Sequence, residues 1–238
     1  MNLNFRQLEP ELMDDPELDA NAHQQALNGL ARTHVFTRTA RRIWSEIVAA
    51  IPPGERRTIS ILDVGCGDGF LLRQIEQLAI QAGYSATLHG CDFSRTALEL
   101  ARTASEKHNT SIEFHQLDIL RDELPPVEII INSLFLHHFQ ESQVVDILRK
   151  FDSSAAELVV VQDLARTRLG YGLCLLGTRL LSRSRIVHID GLLSVKAAFS
   201  AAEFRQMLLA AGITHAKVTK HWPERFTIVW PTHQELLQ

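Results

Sequence analysis

Short apolar runs alternate with amphipathic stretches through the middle of the chain, and this alternation predicts the fold. The runs rich in aliphatic and β-branched residues lie at 59–64, 86–92, 112–118, 127–132 and 157–163. The stretches between them that repeat apolar residues with helical spacing lie at 70–83, 94–109 and 140–151. Strands that alternate with helices form right-handed crossover units, so we expect a parallel sheet with helices on both faces.

The pattern differs at the two ends of the chain. Residues 20–51 lack proline and repeat apolar positions near helical spacing, which predicts one or two helices that end at the "PPG" of 52–54. We interpret 1–54 as an N-terminal helical extension that forms part of a lid, ahead of an α/β domain at 55–238.

A second break follows the fifth predicted strand. Residues 164–199 are rich in Leu, Arg and Gly, and we interpret them as an irregular lid insertion. Two interpretations stay open for this insertion: an amphipathic lid helix with a solvated basic face, or an apolar substrate tunnel. A helix at 200–211 and strands at 215–220 and 226–230 complete the chain, and the short connection makes that final pair antiparallel.

Composition narrows the possible partners and location. The 238 residues are 45% hydrophobic and 22% charged with a net charge of −4, which fits one globular domain and predicts no nucleic-acid partner. Cys66, Cys91 and Cys174 form no pairing motif, so we expect neither disulfides nor a thiolate metal site. The acidic N-terminus is not a secretory signal and the apolar run 169–181 is too short to span a bilayer, so we expect a cytoplasmic protein.

Polar side chains close the predicted strands. They are Asp63, Asp92, Asp118, Asn132 and Asp163. One such residue is as readily explained as a turn residue or helix cap, but the carboxyl ends of parallel strands meet at one edge, where ligands bind. The set therefore predicts a ligand site at this edge.

The first strand runs into "ILDVGCGDGF" (61–70), with Gly65, Gly67 and Gly69 at alternate positions. Glycines here let the backbone approach a ligand closely. The spacing G-x-G-x-G differs by one residue from the dinucleotide fingerprint G-x-G-x-x-G. Asp68 would place a carboxylate where a pyrophosphate binds, so we expect a cofactor without phosphates.

The stretch "LDVGCGDG" resembles the first motif of class I methyltransferases that use S-adenosylmethionine. The resemblance implies this cofactor and a Rossmann-like, doubly wound, mostly parallel seven-stranded sheet. The implied strand order is 3-2-1-4-5-7-6, with the last strand antiparallel, N-terminal helices and a lid insertion after strand 5.

The resemblance also implies which residues hold the methionine half of the cofactor. Those from the glycine loop are Asp63, Gly65, Cys66 and Gly67. Those that end the fourth strand are Asn132, which meets the ammonium group, and Ser133 and Leu134 after it.

The adenosine half is implied to lie against the second and third strands. Asp92 matches the acid that holds both ribose hydroxyls, and Phe93 packs beside the adenine. Asp118 matches the acid that receives the adenine amino group, and Ile119 lies against the ring.

Histidines are the candidate bases for the methyl acceptor. His137 and His138 lie in "NSLFLHHF", which resembles a family stretch after the fourth strand, and His188 lies in "RIVHIDG". We take His137 and His188 as near-equal candidates, with Asp190 placed to orient His188 if the segment is extended or a turn; each could instead be a structural imidazole. No histidine spacing matches a metal motif, so we expect no metal site.

The acceptor is predicted from weaker signals. Ser133 and Leu134 stand where methyltransferases of amino groups have two prolines, which argues against nucleic-acid bases. Residues 188–204 resemble methyltransferases of polyketide or quinone pathways. We therefore expect O-methylation of a phenolic, enolic or quinol hydroxyl on a small, largely apolar, aromatic or polyketide/quinone-like acceptor. C-methylation of a quinone precursor, an NAD-type oxidoreductase and a non-catalytic module that binds S-adenosylmethionine are the alternatives.

Overall fold

The computed structural model of the chain describes residues 3–15, 18–51 and 58–232. The "PPG" that is predicted to end the N-terminal helices, and the domain boundary at 54/55, lie outside these residues. Two short 3-10 turns occur at Leu12–Asp14 and Leu136–His138. The helices are α1 Ala20–Thr37, α2 Thr39–Ala50, α3 Phe70–Gln81, α4 Arg95–His108, α5 Glu141–Ser154, α6 Arg168–Leu181, α7 Arg185–Ala197 and α8 Ala201–Ala211. The strands are β1 Thr58–Val64, β2 Ser85–Asp92, β3 Ile112–Gln116, β4 Val127–Ser133, β5 Ala155–Leu164, β6 Lys217–His221 and β7 Arg225–Pro231.

The seven strands form one sheet in the order β3-β2-β1-β4-β5-β7-β6. β1 to β5 pair in parallel, and β7 runs antiparallel to both β5 and β6. The predicted fold class and strand order are confirmed.

Alternating side chains of the strands build two apolar layers. Leu62 and Val64 of β1 pack with α5 and α8, whereas Ile59 and Ile61 pack with α2, α3 and α4 on the opposite face. Because successive strand residues point to opposite faces, a consecutive apolar run such as 129–131 supplies both layers. The carboxyl ends of the strands are thereby held rigidly at one edge.

The insertion consists of two helices, α6 and α7, which fits the interpretation as a helical lid and not that of an irregular segment. The Thr167 hydroxyl caps α6 by accepting from the N–H of Gly170 at 2.8 Å, and the turn Ser182–Ser184 separates the helices. The segment contains no proline, so its leucines could form helical faces that the high Gly and Arg content obscured. Among the described residues, no helix has the length and apolar character that a membrane crossing requires.

Residues 3–15 form a strap that crosses the carboxyl edge of the sheet. Arg6 donates to the carbonyl oxygens of His137 and Phe139, at 2.7 Å each. The Asp190 carboxylate accepts from the N–H groups of Leu12 at 2.9 Å and Met13 at 3.0 Å. The strap is therefore fastened both to the end of β4 and to α7.

Candidate active site

A cavity of about 760 Å³ lies at the carboxyl ends of the strands, beneath the strap, α1, α6 and α7. Gly65, Gly67 and Asp92 line the part over β1 and β2. Leu164 and Arg225 line the part over β5 and β7, where Cys174 of α6 also contributes. Since ligand pockets of roughly 300–1,000 Å³ are typical, this volume suits a cofactor and a small acceptor together.

The three glycines of the loop all have left-handed backbone angles, with φ of 75° at Gly65, 54° at Gly67 and 70° at Gly69. A Cβ atom on Gly65 would lie 2.4 Å from the Phe135 ring, and one on Gly69 would lie 2.7 Å from the Phe114 ring. Two of the three vacated positions are thus filled by aromatic side chains of the chain itself. Gly65 and Gly67 are the two that line the cavity.

Gly65→Ala is expected to cost more than backbone strain alone, and Gly83 provides the control. Gly83 has a similar φ of 76°, but a Cβ there would have nothing within 4 Å among the described residues. We expect Gly83→Ala to destabilise by about 1–2 kcal/mol, with cofactor affinity unchanged. Gly65→Ala should lose about 1–3 kcal/mol more, because Phe135 must move. Urea unfolding with calorimetric titration of S-adenosylhomocysteine measures both, and equal stability losses would contradict the steric explanation.

The Asp68 carboxylate does not face the cavity, where the sequence led us to expect it. Its carboxylate accepts from the N–H of Phe70 at 3.0 Å and lies 3.6 Å from the Arg73 guanidinium. The side chain therefore caps α3 and is neutralised by Arg73. Asp68 does not line the cavity, so among the described residues the G-x-G-x-G spacing is the stronger feature that distinguishes the loop from a dinucleotide fingerprint.

Asp92 both supports the glycine loop and faces the cavity. Its Oδ2 accepts from the N–H of Gly67 at 2.9 Å, and its Oδ1 accepts from the N–H of Ser94 at 2.8 Å. Burial raises the pKa of this carboxyl above its usual value. Each carboxylate oxygen can accept a second hydrogen bond, so a diol could bind both oxygens from the cavity side.

The predicted adenine contacts lie on the same wall. Phe93, Asp118 and Ile119 line the cavity, and Phe93 is 68% exposed, as expected of a ring that a planar ligand can cover. Asp118 Oδ1 accepts from the N–H of Leu120 at 3.0 Å, which fixes the carboxylate at the rim.

Several predicted residues lie behind the wall rather than on it. Asp63, Cys66, Asn132 and Ser133 are buried, whereas Leu134, with φ of 56°, lines the cavity. Asn132 Nδ2 donates to the Val64 carbonyl at 2.6 Å.

Three buried oxygens behind the wall have no hydrogen-bond partner among the described residues. They are Asp63 Oδ1, Asn132 Oδ1 and Ser133 Oγ. Burial, with the nearby Asp92, raises the pKa of Asp63 well above its usual value. Free acceptor atoms beside an acidic cavity end fit a cofactor with hydroxyl, amino and ammonium donors.

His137 is the centre of a buried charge cluster. Its Nδ1 lies 2.7 Å from Asp163 Oδ1, and its Nε2 lies 3.6 Å from Glu11 Oε1 on the strap. Burial alone would lower the pKa of His137, but the charges of Asp163 and Glu11, together with the hydrogen bond to Asp163, outweigh burial and raise this pKa to about 10. In this arrangement the imidazole is a cation at neutral pH. A cation can hold an anion, and the predicted role of His137 as a base, which requires the neutral imidazole, stays a prediction.

His138 and His188 have other surroundings. His138 Nδ1 lies 3.0 Å from Asp14 Oδ2 on the strap, and His138 also lines the cavity. His188 Nε2 lies 2.9 Å from the Ser182 carbonyl, and His188 lines a separate pocket on the outside of α6 and α7.

The expected pairing of His188 with Asp190 is not formed. Both residues are on α7, where positions two apart point about 200° away from each other. Asp190 lines the main cavity and holds the strap, whereas His188 faces outward. The pairing required an extended segment or a turn, and the helix removes it.

Sequence reasoning did not assign a site role to Glu11, His23, Asp163 or Arg225. Glu11 and Arg225 are far from any motif in the sequence, so no local signal identifies them. Burial lowers the pKa of His23, so this histidine of α1 is a neutral imidazole in the cavity wall. For Asp163 the sequence contains one indication of a place near the site, its position at the end of a predicted strand.

Two groups of side chains have the proximity of metal ligands. Glu11, His137 and His138 place ligand atoms within 4.8 Å of one another, as do His89, Glu113 and His115 on the surface. Motif spacing could not anticipate the first group, because Glu11 comes from the strap. His137 of that group already pairs through Nδ1 with Asp163, which is not part of the group. The absence of a metal site stays a prediction.

Comparisons with known proteins agree with this geometry. The family described as "Methyltransferase domain" matches residues 61–156. No curated protein matches the chain.

Solved structures share the fold at low sequence identity. The plantazolicin methyltransferase BpumL, in complex with S-adenosylhomocysteine, has a TM-score of 0.68 and 19% identity, over 92% of this chain and 93% of that one. The magnesium protoporphyrin IX methyltransferase from Synechocystis PCC 6803, with bound S-adenosylmethionine, has a TM-score of 0.56 and 13% identity. The match covers 92% of this chain and 88% of that one. An O-methyltransferase family 2 protein from Planctomyces limnophilus, in complex with apigenin, has a TM-score of 0.59 and 18% identity. The match covers 91% of this chain and 63% of that one.

The glycine loop, the strand-end acids, the sheet order and the matched domain lead to one conclusion. Residues 61–156 form a methyltransferase domain, and the chain is a methyltransferase of the class I fold whose cofactor is S-adenosylmethionine.

Proposed function

We propose that the protein methylates an oxygen of a small, largely apolar acceptor that carries a phenolic, enolic or quinol hydroxyl. The observation that carries this proposal is the cationic His137, which lies with its carboxylate partners at a cavity whose wall is otherwise rich in apolar side chains. Leu27, Leu30, Phe139 and Val187 are among these apolar residues. Such walls suit an aromatic or polyketide-like body, and a buried cation favours an ionised oxygen.

The cofactor is proposed to bind over β1, β2 and β4. Asp92 would receive both ribose hydroxyls, and Asp118 would receive the adenine amino group, with Phe93 and Ile119 against the ring. Gly65, Gly67 and Leu134 would contact the methionine part directly. Asp63, Cys66, Asn132 and Ser133 would support it from behind the wall.

His137 is proposed to hold the acceptor oxygen. Its Nε2 lies 3.6 Å from Glu11 Oε1, too far for a normal hydrogen bond, so its N–H is available to a bound oxygen. The hydrogen bond to Asp163 fixes the ring and keeps the cation in place. A cation beside the hydroxyl lowers its pKa, so a phenol with a pKa of about 10 in water becomes a better nucleophile.

No strong base is required in this scheme, because the acceptor hydroxyl releases its proton to solvent before transfer and reacts as the oxyanion. When bound, S-adenosylmethionine supplies the methyl group as an electrophilic carbon on a sulfonium. The chain's own contribution is alignment, the cationic contact at the acceptor oxygen, and exclusion of water by the strap and α1. In this scheme residues 1–54 act with 164–199 as the lid over the domain at 55–238.

The solved structures support a small acceptor. The neighbours with these folds include a magnesium protoporphyrin IX methyltransferase and a protein in complex with apigenin. Because the sequence identities are below 20%, these structures share the fold and do not identify the acceptor of this chain. The choice of oxygen as the methylated atom therefore rests on the surroundings of His137.

The test is an acceptor screen with phenols, pyrones and quinols, read by mass gain with and without a chelator. We expect a gain of one methyl group on a hydroxyl-bearing acceptor, unchanged by the chelator. Methylation at ring carbon, identified by fragmentation of the product, would contradict oxygen as the acceptor atom. Failure to bind S-adenosylhomocysteine while binding NADH would contradict the assignment as a methyltransferase.

A further inference from the structure

The cavity contains a second buried cation, remote from the glycine loop. Arg225 begins β7, is 2% exposed, and lines the cavity beside Leu164, Cys174 and Thr178. Residue 225 pairs with Leu164 at the end of β5, two strands away from β4. With strands about 4.8 Å apart, its backbone lies roughly 10 Å across the sheet from the end of β4.

Within the described part of the chain, the guanidinium of Arg225 has no carboxylate partner at ion-pair distance. Its Nη1 is buried without a hydrogen bond, and no carboxylate oxygen of the described residues lies within 4.0 Å of its nitrogens. Asp163 attracts it electrostatically, but Asp163 already accepts from the ring of His137 and from the N–H groups of His137 and Leu164. The nearest acid is therefore committed to His137.

This arginine remains charged despite its burial. Burial lowers the pKa of Arg225 to about 10, which is still above neutral pH. A buried charge without a hydrogen-bonded partner is costly, and proteins keep such groups where a ligand completes the pair.

We propose that Arg225 binds an acidic oxygen group of the acceptor, distinct from the hydroxyl that is methylated. The group is a carboxylate or an acidic enol, since both present anionic oxygen to a guanidinium. This inference rests on the proposed function and adds to it: the acceptor has an apolar body with a hydroxyl near His137 and an anionic group at Arg225, on the β7 side of the cavity.

Two matched pairs of probes test the proposal, with binding measured in the presence of S-adenosylhomocysteine. 4-Hydroxybenzoate and 4-hydroxybenzamide differ in the carboxylate. 4,7-Dihydroxycoumarin and 7-hydroxycoumarin differ in the acidic enol. For at least one pair we expect the wild-type protein to bind the anionic member about 10- to 100-fold more tightly, the range of a charged hydrogen bond, and the pair that shows it identifies the source of the anion.

Variants at position 225 assign that preference to the guanidinium. Arg225→Met should reduce the ratio of affinities for the anionic and the neutral probe to about one. Arg225→Lys should retain part of the preference because the charge remains. Thr178→Val is the matched control in the same wall, and its preference should equal that of the wild type. If Arg225→Met does not fold, the wild-type ratios and Arg225→Lys still decide the result.

Contrary outcomes separate this inference from the proposed function. Binding of S-adenosylhomocysteine with no preference for either anionic probe, or a preference that survives in Arg225→Met, would overturn the role of Arg225 alone. Loss of S-adenosylhomocysteine binding by the wild-type protein would overturn the proposed function instead.

Discussion

Asp92→Ala is expected to weaken the binding of S-adenosylhomocysteine by about 100-fold. Asp92 lines the cavity, and each of its oxygens keeps one acceptor position free beside its backbone hydrogen bond. Two charged hydrogen bonds to a ribose, at about 1.5 kcal/mol each, give a change of this size. Isothermal titration calorimetry measures the dissociation constant directly.

Two further variants separate ligand contact from loop support. Asp92→Asn keeps one acceptor oxygen and should lie between the wild type and Asp92→Ala in affinity. Asp146→Ala, in an exposed ion pair with Arg149, should leave affinity unchanged. An Asp92→Ala protein that binds S-adenosylhomocysteine within about threefold of the wild type would show that Asp92 supports the loop without touching the ribose.

His137→Ala is expected to destabilise the protein by about 3–5 kcal/mol, because it leaves the buried carboxylates of Asp163 and Glu11 without their cation. In a chain of this size the loss corresponds to a fall in Tm of roughly 10 °C. The control is His138→Ala, whose partner Asp14 is 55% exposed, and which should cost less than about 1 kcal/mol. Glu11→Gln added to His137→Ala should recover part of the loss.

The stabilisation by this cluster depends on pH with a defined sign. The pKa of His137 is raised from 6.5 to about 10 on folding, so its contribution is complete below about pH 6.5 and is lost as pH rises toward 10. The hydrogen bonds and charges of the histidines lower the pKa of Asp163 and of Glu11 against the opposing effect of burial, so their contributions are lost as pH falls below their usual values.

The Tm difference between wild type and His137→Ala should therefore be largest near pH 6 and should narrow by about pH 10. Thermal unfolding of both proteins across this range measures it. A difference that stays constant from pH 6 to 10 would mean that His137 is neutral in the folded protein, and would restore it as a candidate base.

Local patterns predicted the sheet well and the lid poorly. The strands 58–64 and 127–133 each contain a consecutive apolar run, 61–62 and 129–131, that is buried on both faces of the sheet, so their sequences alone indicate their place. α6 and α7 pack chiefly on each other and on α1, and their Gly and Arg content masks the helical faces. The strap has no periodic pattern, since hydrogen bonds from Arg6 and to Asp190 fix it.

The residues of the candidate site likewise fall into those that local sequence predicts and those that it does not. Asp92 and Asp118 follow strands directly, so topology alone brings them to the edge. Glu11 and Arg225 reach the cavity from opposite ends of the chain, and only tertiary packing joins them. The expected pair of His188 with Asp190 fails for a different reason. The two residues are close in sequence, but the helix α7 points their side chains in different directions.

The fastening of the strap has a consequence for the kinetics of turnover. A ligand that leaves the cavity past residues 3–15 has to break the contacts of Glu11 with His137 and of Asp190 with Leu12 and Met13. We expect opening of the strap to limit the release of S-adenosylhomocysteine, as lid opening does in many enzymes. Variants that loosen the strap, such as Asp190→Ala, would shorten product residence and raise the rate of multiple turnovers relative to the first.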